Sequence, residues 1–305
     1  MHATGSAYSA CVNAWARLPD EVRNAITHRF GPITDVTPMP TGLTAGTSVR
    51  LDTPRGLLFV KALPDDAASA PLYRREARVS PALPDVVPSP QLRWGGHHAG
   101  WITLVFDHIE PARQVDIGPE APDAAAVVDL VRLLGEALAP NPAEGLPSVA
   151  DNVRFLISRA DRLLAARPDD LDGYAMLAAA RAQLDEDGLG GDVLLHTDIH
   201  EGNLIAGADR LYLVDWGLAA VGAAWVEVAL LIPRLILAGH SPEQAERLVE
   251  GIPAWKAAPP AAVNGLAAVW SLFREFVARY GPQPIRASRA RAAAAGRAWL
   301  KYRMA

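Results

Sequence analysis

The chain has 305 residues, half of them hydrophobic, with a formal charge of −5. That is enough apolar material for one large or two modest folded units, and it excludes a disordered, collagenous or coiled-coil chain. The acidic balance argues against a general nucleic-acid binder, and the single cysteine, Cys11, reads as a free thiol that excludes an intrachain disulfide. The opening Met1-His2-Ala3-Thr4-Gly5-Ser6 has no basic stretch followed by an apolar one, so no signal peptide and a cytoplasmic location are expected.

A first helix is expected from Leu18-Pro19-Asp20-Glu21, with acids in its first turn, to Gly31. Short strands follow at 33–38, 47–52 and 57–63, the last two joined by the turn Thr53-Pro54-Arg55-Gly56. Residues 65–80 read as a helix, 84–90 as an extended Pro-rich connection, and 101–106 as a strand apolar enough to be central in a sheet. Beyond residue 111 the pattern turns helical, at 121–138, 149–166 and 173–185. Short strands at 193–195, 204–206 and 211–214 interrupt it, and from 223 onward nearly everything is helical, with the Ala292–Ala295 stretch as helix filler. The most apolar run, 218–239, is broken by Glu227, Pro233 and Arg234 and reads as a buried helix rather than a membrane span.

Of the 29 basic side chains only Lys61, Lys256 and Lys301 are lysines. In a chain that uses arginine so freely, a lysine marks a position where arginine does not serve. The segment richest in chemistry is Leu194-Leu195-His196-Thr197-Asp198-Ile199-His200-Glu201-Gly202-Asn203-Leu204-Ile205, a polar cluster between two apolar strands. It is followed by Leu211-Tyr212-Leu213-Val214-Asp215-Trp216-Gly217, so the pattern is H-x-D-x-x-x-x-N and then D-W-G. Phosphoryl transfer needs a held acceptor hydroxyl, a destination for its proton and a cation on the triphosphate. Asp198 on a tight loop suits the first two needs, while Asn203 and Asp215 offer hard oxygens suited to Mg²⁺. His196 is expected to brace the loop backbone.

These residues resemble the catalytic and metal loops of the aminoglycoside phosphotransferase family, which shares its architecture with the protein kinases. The resemblance implies an α+β, bilobal protein-kinase-like fold. Its small strand-rich N-lobe, with an antiparallel sheet, would span 1–106, a hinge 107–111, and a larger, mostly helical C-lobe 112–305. It implies ATP and Mg²⁺, with Asp198 as catalytic base and Asn203 and Asp215 as metal ligands. It also implies a strand lysine on the α- and β-phosphates, oriented by a helix glutamate. Lys61, in Leu57-Leu58-Phe59-Val60-Lys61-Ala62-Leu63, and Glu76, in Tyr73-Arg74-Arg75-Glu76-Ala77, fit those two positions. The phosphate loop is assigned to Thr41, Gly42, Thr44 and Gly46, where glycines let backbone approach a phosphate and hydroxyls donate to it. The loop is not G-x-G-x-x-G, and no G-x-x-x-x-G-K-[ST] occurs elsewhere. Asp107, His108 and Ile109 are placed at the hinge, where their backbone would meet the adenine edge.

The metal loop runs almost at once into Val221-Gly222-Ala223-Ala224-Trp225 and a helix, leaving no room for a peptide-docking segment. A small-molecule hydroxyl acceptor is therefore expected, with neither nucleic acid nor membrane as a partner. Residues 112–275 carry 24 acids against 12 basic residues, a surplus that reads either as a cleft attracting a polycation or as acidic exposed helix faces. The last 30 residues carry seven basic side chains and no acid, and either pack on acids or meet an anionic substrate group. Glu201, Trp225 and Glu227 are the candidate acceptor contacts. An antibiotic, an aminoglycoside or a related sugar- or nucleoside-containing compound, is the favoured acceptor. A metabolic kinase of the choline, homoserine, sugar or fructosamine type is the alternative, and a nucleotide-binding pseudokinase the reading from another class.

Overall fold

The structure is a computed structural model in which residues 14–40 and 46–305 are described. Cys11 and the phosphate-loop residues Thr41, Gly42 and Thr44 lie outside the described residues. The chain forms two compact units, one comprising residues up to 83 with 88–112 and 212–217, the other 84–87, 113–211 and 218–305.

The first unit opens with α1 (Asp20–Phe30), which stops at Gly31, where φ is 95°. Strands β1 (Asp35–Pro38), β2 (Thr47–Thr53) and β3 (Gly56–Pro64) follow. After α2 (Ala70–Val79) come β4 (Leu92–His98) and β5 (Trp101–Asp107). The five strands make one antiparallel sheet in the order β1-β2-β3-β5-β4. The apolar strand β5 is flanked on both sides, as its composition implies. Strand β4 was not anticipated, because Gly95-Gly96-His97-His98 is poor strand material, and it lies at the sheet edge with mostly exposed side chains. The helix expected from 65 begins only at Ala70, after turns over 66–69.

Alternation along β3 and β5 sorts side chains between two cores. Leu58, Val60, Ala62 and Val105 join Val49 and Leu51 of β2 under Val22, Ile26 and Phe30 of α1. On the opposite face Leu63, Ile102, Leu104 and Phe106 pack with Ala70 and Tyr73 of α2. Lys61 shares the parity of Phe59 and Leu63, so its side chain falls on the α2 face. The buried stripe of α2 is Ala70, Tyr73, Glu76 and Val79, one side of a helix with a carboxylate in it.

The second unit contains β6 (Arg113–Gln114), α3 (Asp123–Ala137), α4 (Val149–Ala166) and α5 (Tyr174–Arg181). Helix α4 starts on a capping box, in which the Ser148 hydroxyl takes the Asp151 N–H and the Asp151 carboxylate takes the Ser148 N–H. Strand β7 (Val193–Leu195) leads into the polar loop and β8 (Leu204–Ala206) leads out of it, pairing with β6. Strand β9 (Leu211–Leu213) runs into the Tyr212–Gly217 segment of the first unit. Strand β10 (Ala220–Gly222) pairs antiparallel with β7.

Five helices complete the second unit: α6 (Trp225–Leu237), α7 (Pro242–Val249), α8 (Pro253–Lys256), α9 (Pro260–Tyr280) and α10 (Gln283–Arg303). The alanines of α10 are more than filler. Ala292, Ala293 and Ala295 are buried, and a Cβ on Gly296 would come within 2.8 Å of Ser271 Cβ on α9. This seam of small side chains brings the two longest helices close together, and the Ser271 hydroxyl donates across it to the Ala293 carbonyl at 2.9 Å. No helix among the described residues is long and apolar enough to cross a membrane.

Candidate active site

In the first unit, parity and helix phase bring Lys61 and Glu76 together. Lys61 is 7% and Glu76 2% exposed, and they form an ion pair. A second carboxylate, Asp215, stands 3.1 Å from Lys61 Nζ, and the rings of Tyr73 and Phe106 flank the ammonium at 5.1 and 5.9 Å. Burial disfavours the charge on Lys61, but Glu76 and Asp215 outweigh it and hold its pKa above the ordinary range. A permanent cation results, fixed at the mouth of a carboxylate pair, with Asp215 itself more than half exposed. Asp215 has φ 68°, a left-handed conformation that an ordinary side chain adopts at a cost. Gly46 is held tightly: a Cβ there would stand 2.8 Å from the Tyr73 hydroxyl and 2.9 Å from the Ala62 carbonyl.

At the hinge the backbone is partly committed. The Asp107 N–H donates to the Gln91 carbonyl and the His108 N–H to the Leu57 carbonyl. Those two donors are therefore not free for an adenine edge, which narrows the expectation for residues 107–108 to their carbonyls and leaves the Ile109 backbone. The side chains of Asp107 and His108 line a cavity of about 730 Å³ with Arg55 and Arg93.

In the second unit the loop after β7 is organised from beneath. His196 is fully buried and its Nδ1 accepts the Asp198 N–H at 3.3 Å. His200 closes the outer side: its Nδ1 accepts the Gly202 N–H at 3.0 Å and its Nε2 faces Asp198 Oδ2 at 3.5 Å. With Nδ1 accepting, the proton of a neutral His200 sits on Nε2, aimed at Asp198. The Asn203 side-chain amide donates to the Asp198 carbonyl at 2.9 Å, which leaves its Oδ1 as a neutral acceptor. Glu201 is partly exposed and begins the 3₁₀ turn that ends in Asn203.

Two residues expected to touch the acceptor are claimed by the fold instead. Trp225 is 5% exposed in the helical core. Glu227, 4% exposed, accepts the backbone N–H groups of His196 and Thr197, the latter at 3.0 Å. Burial pushes its carboxyl up to about 7, against the pull of the Thr197 and His196 N–H groups. These bonds hold Thr197 at φ 67°, one residue before Asp198.

Arg234 escaped the sequence reading. It lies two turns after Glu227 on α6, and its guanidinium donates to Asp198 Oδ1 at 3.0 Å. The available signal was two charges seven residues apart in an otherwise apolar helix. Burial alone would raise the Asp198 pKa, but His200, Arg234 and His196 outweigh it and hold the carboxyl well below the usual range. These partners favour the ionised form of Asp198. The polycation-attracting cleft is not what surrounds it. Acids of the helical region such as Asp161, Asp170 and Glu186 are substantially exposed and paired with Arg181, Arg279 and Arg154.

Each unit offers one oxygen donor of the type Mg²⁺ takes. Asn203 presents a neutral Oδ1 fixed by its amide bond, and Asp215 an exposed carboxylate whose Oδ1 meets Lys61. Few protein ligands suit an ion that retains waters and phosphate oxygens.

The model of the phosphotransferase enzyme family APH matches residues 35–261. A search of curated protein sequences finds no match. Among solved structures, choline kinase LicA from Streptococcus pneumoniae is similar over 92% of this chain and 98% of its own, at 16% identity and a TM-score of 0.61. A thermostable variant of aminoglycoside phosphotransferase APH(4)-Ia, in ternary complex with AMP-PNP and hygromycin B, is similar over 92% and 99%, at 17% identity and 0.60. Spectinomycin phosphotransferase APH(9)-Ia, in complex with ADP and spectinomycin, is similar over 92% and 93%, at 12% identity and 0.58. These likenesses establish the kinase-like fold, with an antiparallel-sheet N-terminal region and a helical C-terminal region. On the extent of the family match, the chain belongs to the APH phosphotransferase enzyme family.

Proposed function

We propose that this chain moves the γ-phosphate of ATP to a hydroxyl of a small molecule, with Asp198 orienting that hydroxyl and receiving its proton. The family makes it a small-molecule phosphotransferase. The observation that carries the mechanism is the setting of Asp198: a carboxylate kept ionised by Arg234 and His200, on a loop whose backbone is pinned by Glu227. Such a group is a weak base and a good orienter, which suits a loose transition state that asks for little proton abstraction early on. Lys61, braced by Glu76, binds the α- and β-phosphates. Asn203 and Asp215 are the oxygen donors for Mg²⁺, which when bound neutralises the charge of the triphosphate.

For the acceptor, an antibiotic is supported by the neighbours that hold hygromycin B and spectinomycin, whereas the choline kinase neighbour fits a metabolic substrate. The test is ADP release from Mg·ATP across hydroxyl-bearing antibiotics and primary metabolites. Asp198→Ala is expected to lower kcat by about two to four orders of magnitude with nucleotide binding intact. Failure of the unaltered protein to bind ATP would remove the basis of the assignment, and ATP binding with no transfer to any acceptor would favour a pseudokinase.

A further inference from the structure

The immediate surroundings of Asp198 hold more cation than its own charge requires. Arg234 pairs with it at 3.0 Å, and its side chain is only 13% exposed. Beyond Arg234 lies Trp270 of α9, with the Arg234 guanidinium 5.5 Å from its ring and the Arg274 guanidinium 4.9 Å from the same ring. Arg274 also lies 5.5 Å from the ring of Phe273. Its Nε is buried without a hydrogen-bond partner, and no carboxylate among the described residues pairs with it. A buried guanidinium N–H that faces aromatic rings is costly, because it loses water and gains no acceptor.

The third cation comes from α10. Two of the six basic side chains of that helix are paired with acids: Arg297 with Glu275 and Arg303 with Glu246. Arg289 has no carboxylate partner among the described residues, and its charge acts on Arg234 and Arg274. Burial, then the charges of Arg234 and Arg289, pull Arg274 down to about 9, against the opposing charge of Asp198. Among the described residues Asp198 is the carboxylate that acts on Arg234 and Arg274, and Glu227 nearby is committed to the loop backbone.

We infer that the acceptor is an oxyanion-bearing alcohol, whose carboxylate or phosphate group is held by Arg274 and Arg289 while its hydroxyl lies at Asp198. The inference deepens the proposed phosphotransferase reading and rests on it for the role of Asp198. The missing counter-ion is supplied by the substrate, and guanidinium forks match planar carboxylates and tetrahedral phosphates alike. The same cations disfavour a polycationic acceptor or a quaternary ammonium alcohol at this position.

The test has two readouts on the full chain. Titration calorimetry without nucleotide would use inorganic phosphate, malonate, choline and neamine as probes, on the unaltered protein and on Arg274→Gln and Arg289→Gln. The half-exposed Arg289 guards against a variant that simply fails to fold. The expected result is that an anion binds, that each substitution weakens it by about tenfold or more, and that choline and neamine bind more weakly. Preference for phosphate over malonate would identify a phosphate-bearing acceptor, and the reverse a carboxylate. Absence of anion binding, anion binding unchanged in both variants, or tighter binding of neamine or choline would overturn the inference.

The second readout is ADP release with hydroxy acids, sugar phosphates, neutral polyols and amino alcohols. Turnover confined to anionic acceptors, with KM raised more than kcat falls in Arg289→Gln, supports the proposal. Turnover of neutral or cationic acceptors that is indifferent to Arg289→Gln overturns it and leaves the phosphotransferase reading standing. Anion binding sensitive to the arginines, with no ADP release from any acceptor, upholds the anion site and counts instead against the phosphotransferase reading.

Discussion

Each unit of the protein buries a glutamate beneath its chemistry, and the two are used in different ways. Glu76 lies on the buried stripe of α2 and answers a charge, the ammonium of Lys61. Glu227 lies at the start of α6 and answers two backbone N–H groups, those of His196 and Thr197. The first pair holds a buried ammonium in place; the second holds the shape of a strained loop. A buried acid therefore reveals its use only through its partner, and the two partners respond to different substitutions.

The largest effect is expected at Lys61. Lys61→Met should cost about 3–5 kcal/mol by leaving Glu76 uncompensated, read as a lowered thermal transition. Adding Glu76→Leu should restore most of that stability without restoring activity. A single variant that melts with the unaltered protein would break the comparison at its first term.

A smaller loss is expected at Glu227. Glu227→Ala strands two buried N–H groups and should cost about 2–4 kcal/mol, together with kcat. Glu227→Gln keeps one accepting oxygen and should cost about 1 kcal/mol. If the glutamine variant were as damaged as the alanine one, charge rather than acceptance would be the requirement at both glutamates.

The smallest effect is a pH dependence. The Glu227 carboxyl is raised in the folded protein from 4.5 to about 7. The folded state thus binds that proton more tightly than the unfolded chain. The stabilisation is full below pH 4.5 and is lost as pH rises through about 7, by a few kcal/mol at most. Denaturant titrations across that window should show stability falling in the unaltered protein and a flatter profile in Glu227→Gln. Equal slopes would assign the titration to another group.

The sequence made Lys61 and Glu76 legible for a local reason. Strand parity places Lys61 on one face, helix period places Glu76 on one stripe, and lysine is scarce in this chain. The loop from His196 to Asn203 was legible because polar residues stood between two short apolar strands. Glu227 and Arg234 were visible as interruptions of an apolar helix, yet their partners lie some thirty residues upstream, which no local period reports. Strand β4 was missed because its edge position tolerates glycines that propensity rejects. Which hinge amides are already engaged was not legible, because backbone donors leave no trace in side-chain identity.

Helix α1 has a practical consequence for anyone trimming this protein. The family match begins at residue 35, just after the helix whose Val22, Ile26 and Phe30 cover Val49, Leu51 and Val60 of the sheet. The match also stops at residue 261, at the start of α9 and before the whole of α10. A fragment cut to those limits would keep Lys61, Asp198, Asn203 and Asp215 while baring an apolar sheet face and discarding Arg274 and Arg289. Such a fragment should aggregate on expression, because the stretch that identifies a relative is shorter than the stretch that can fold.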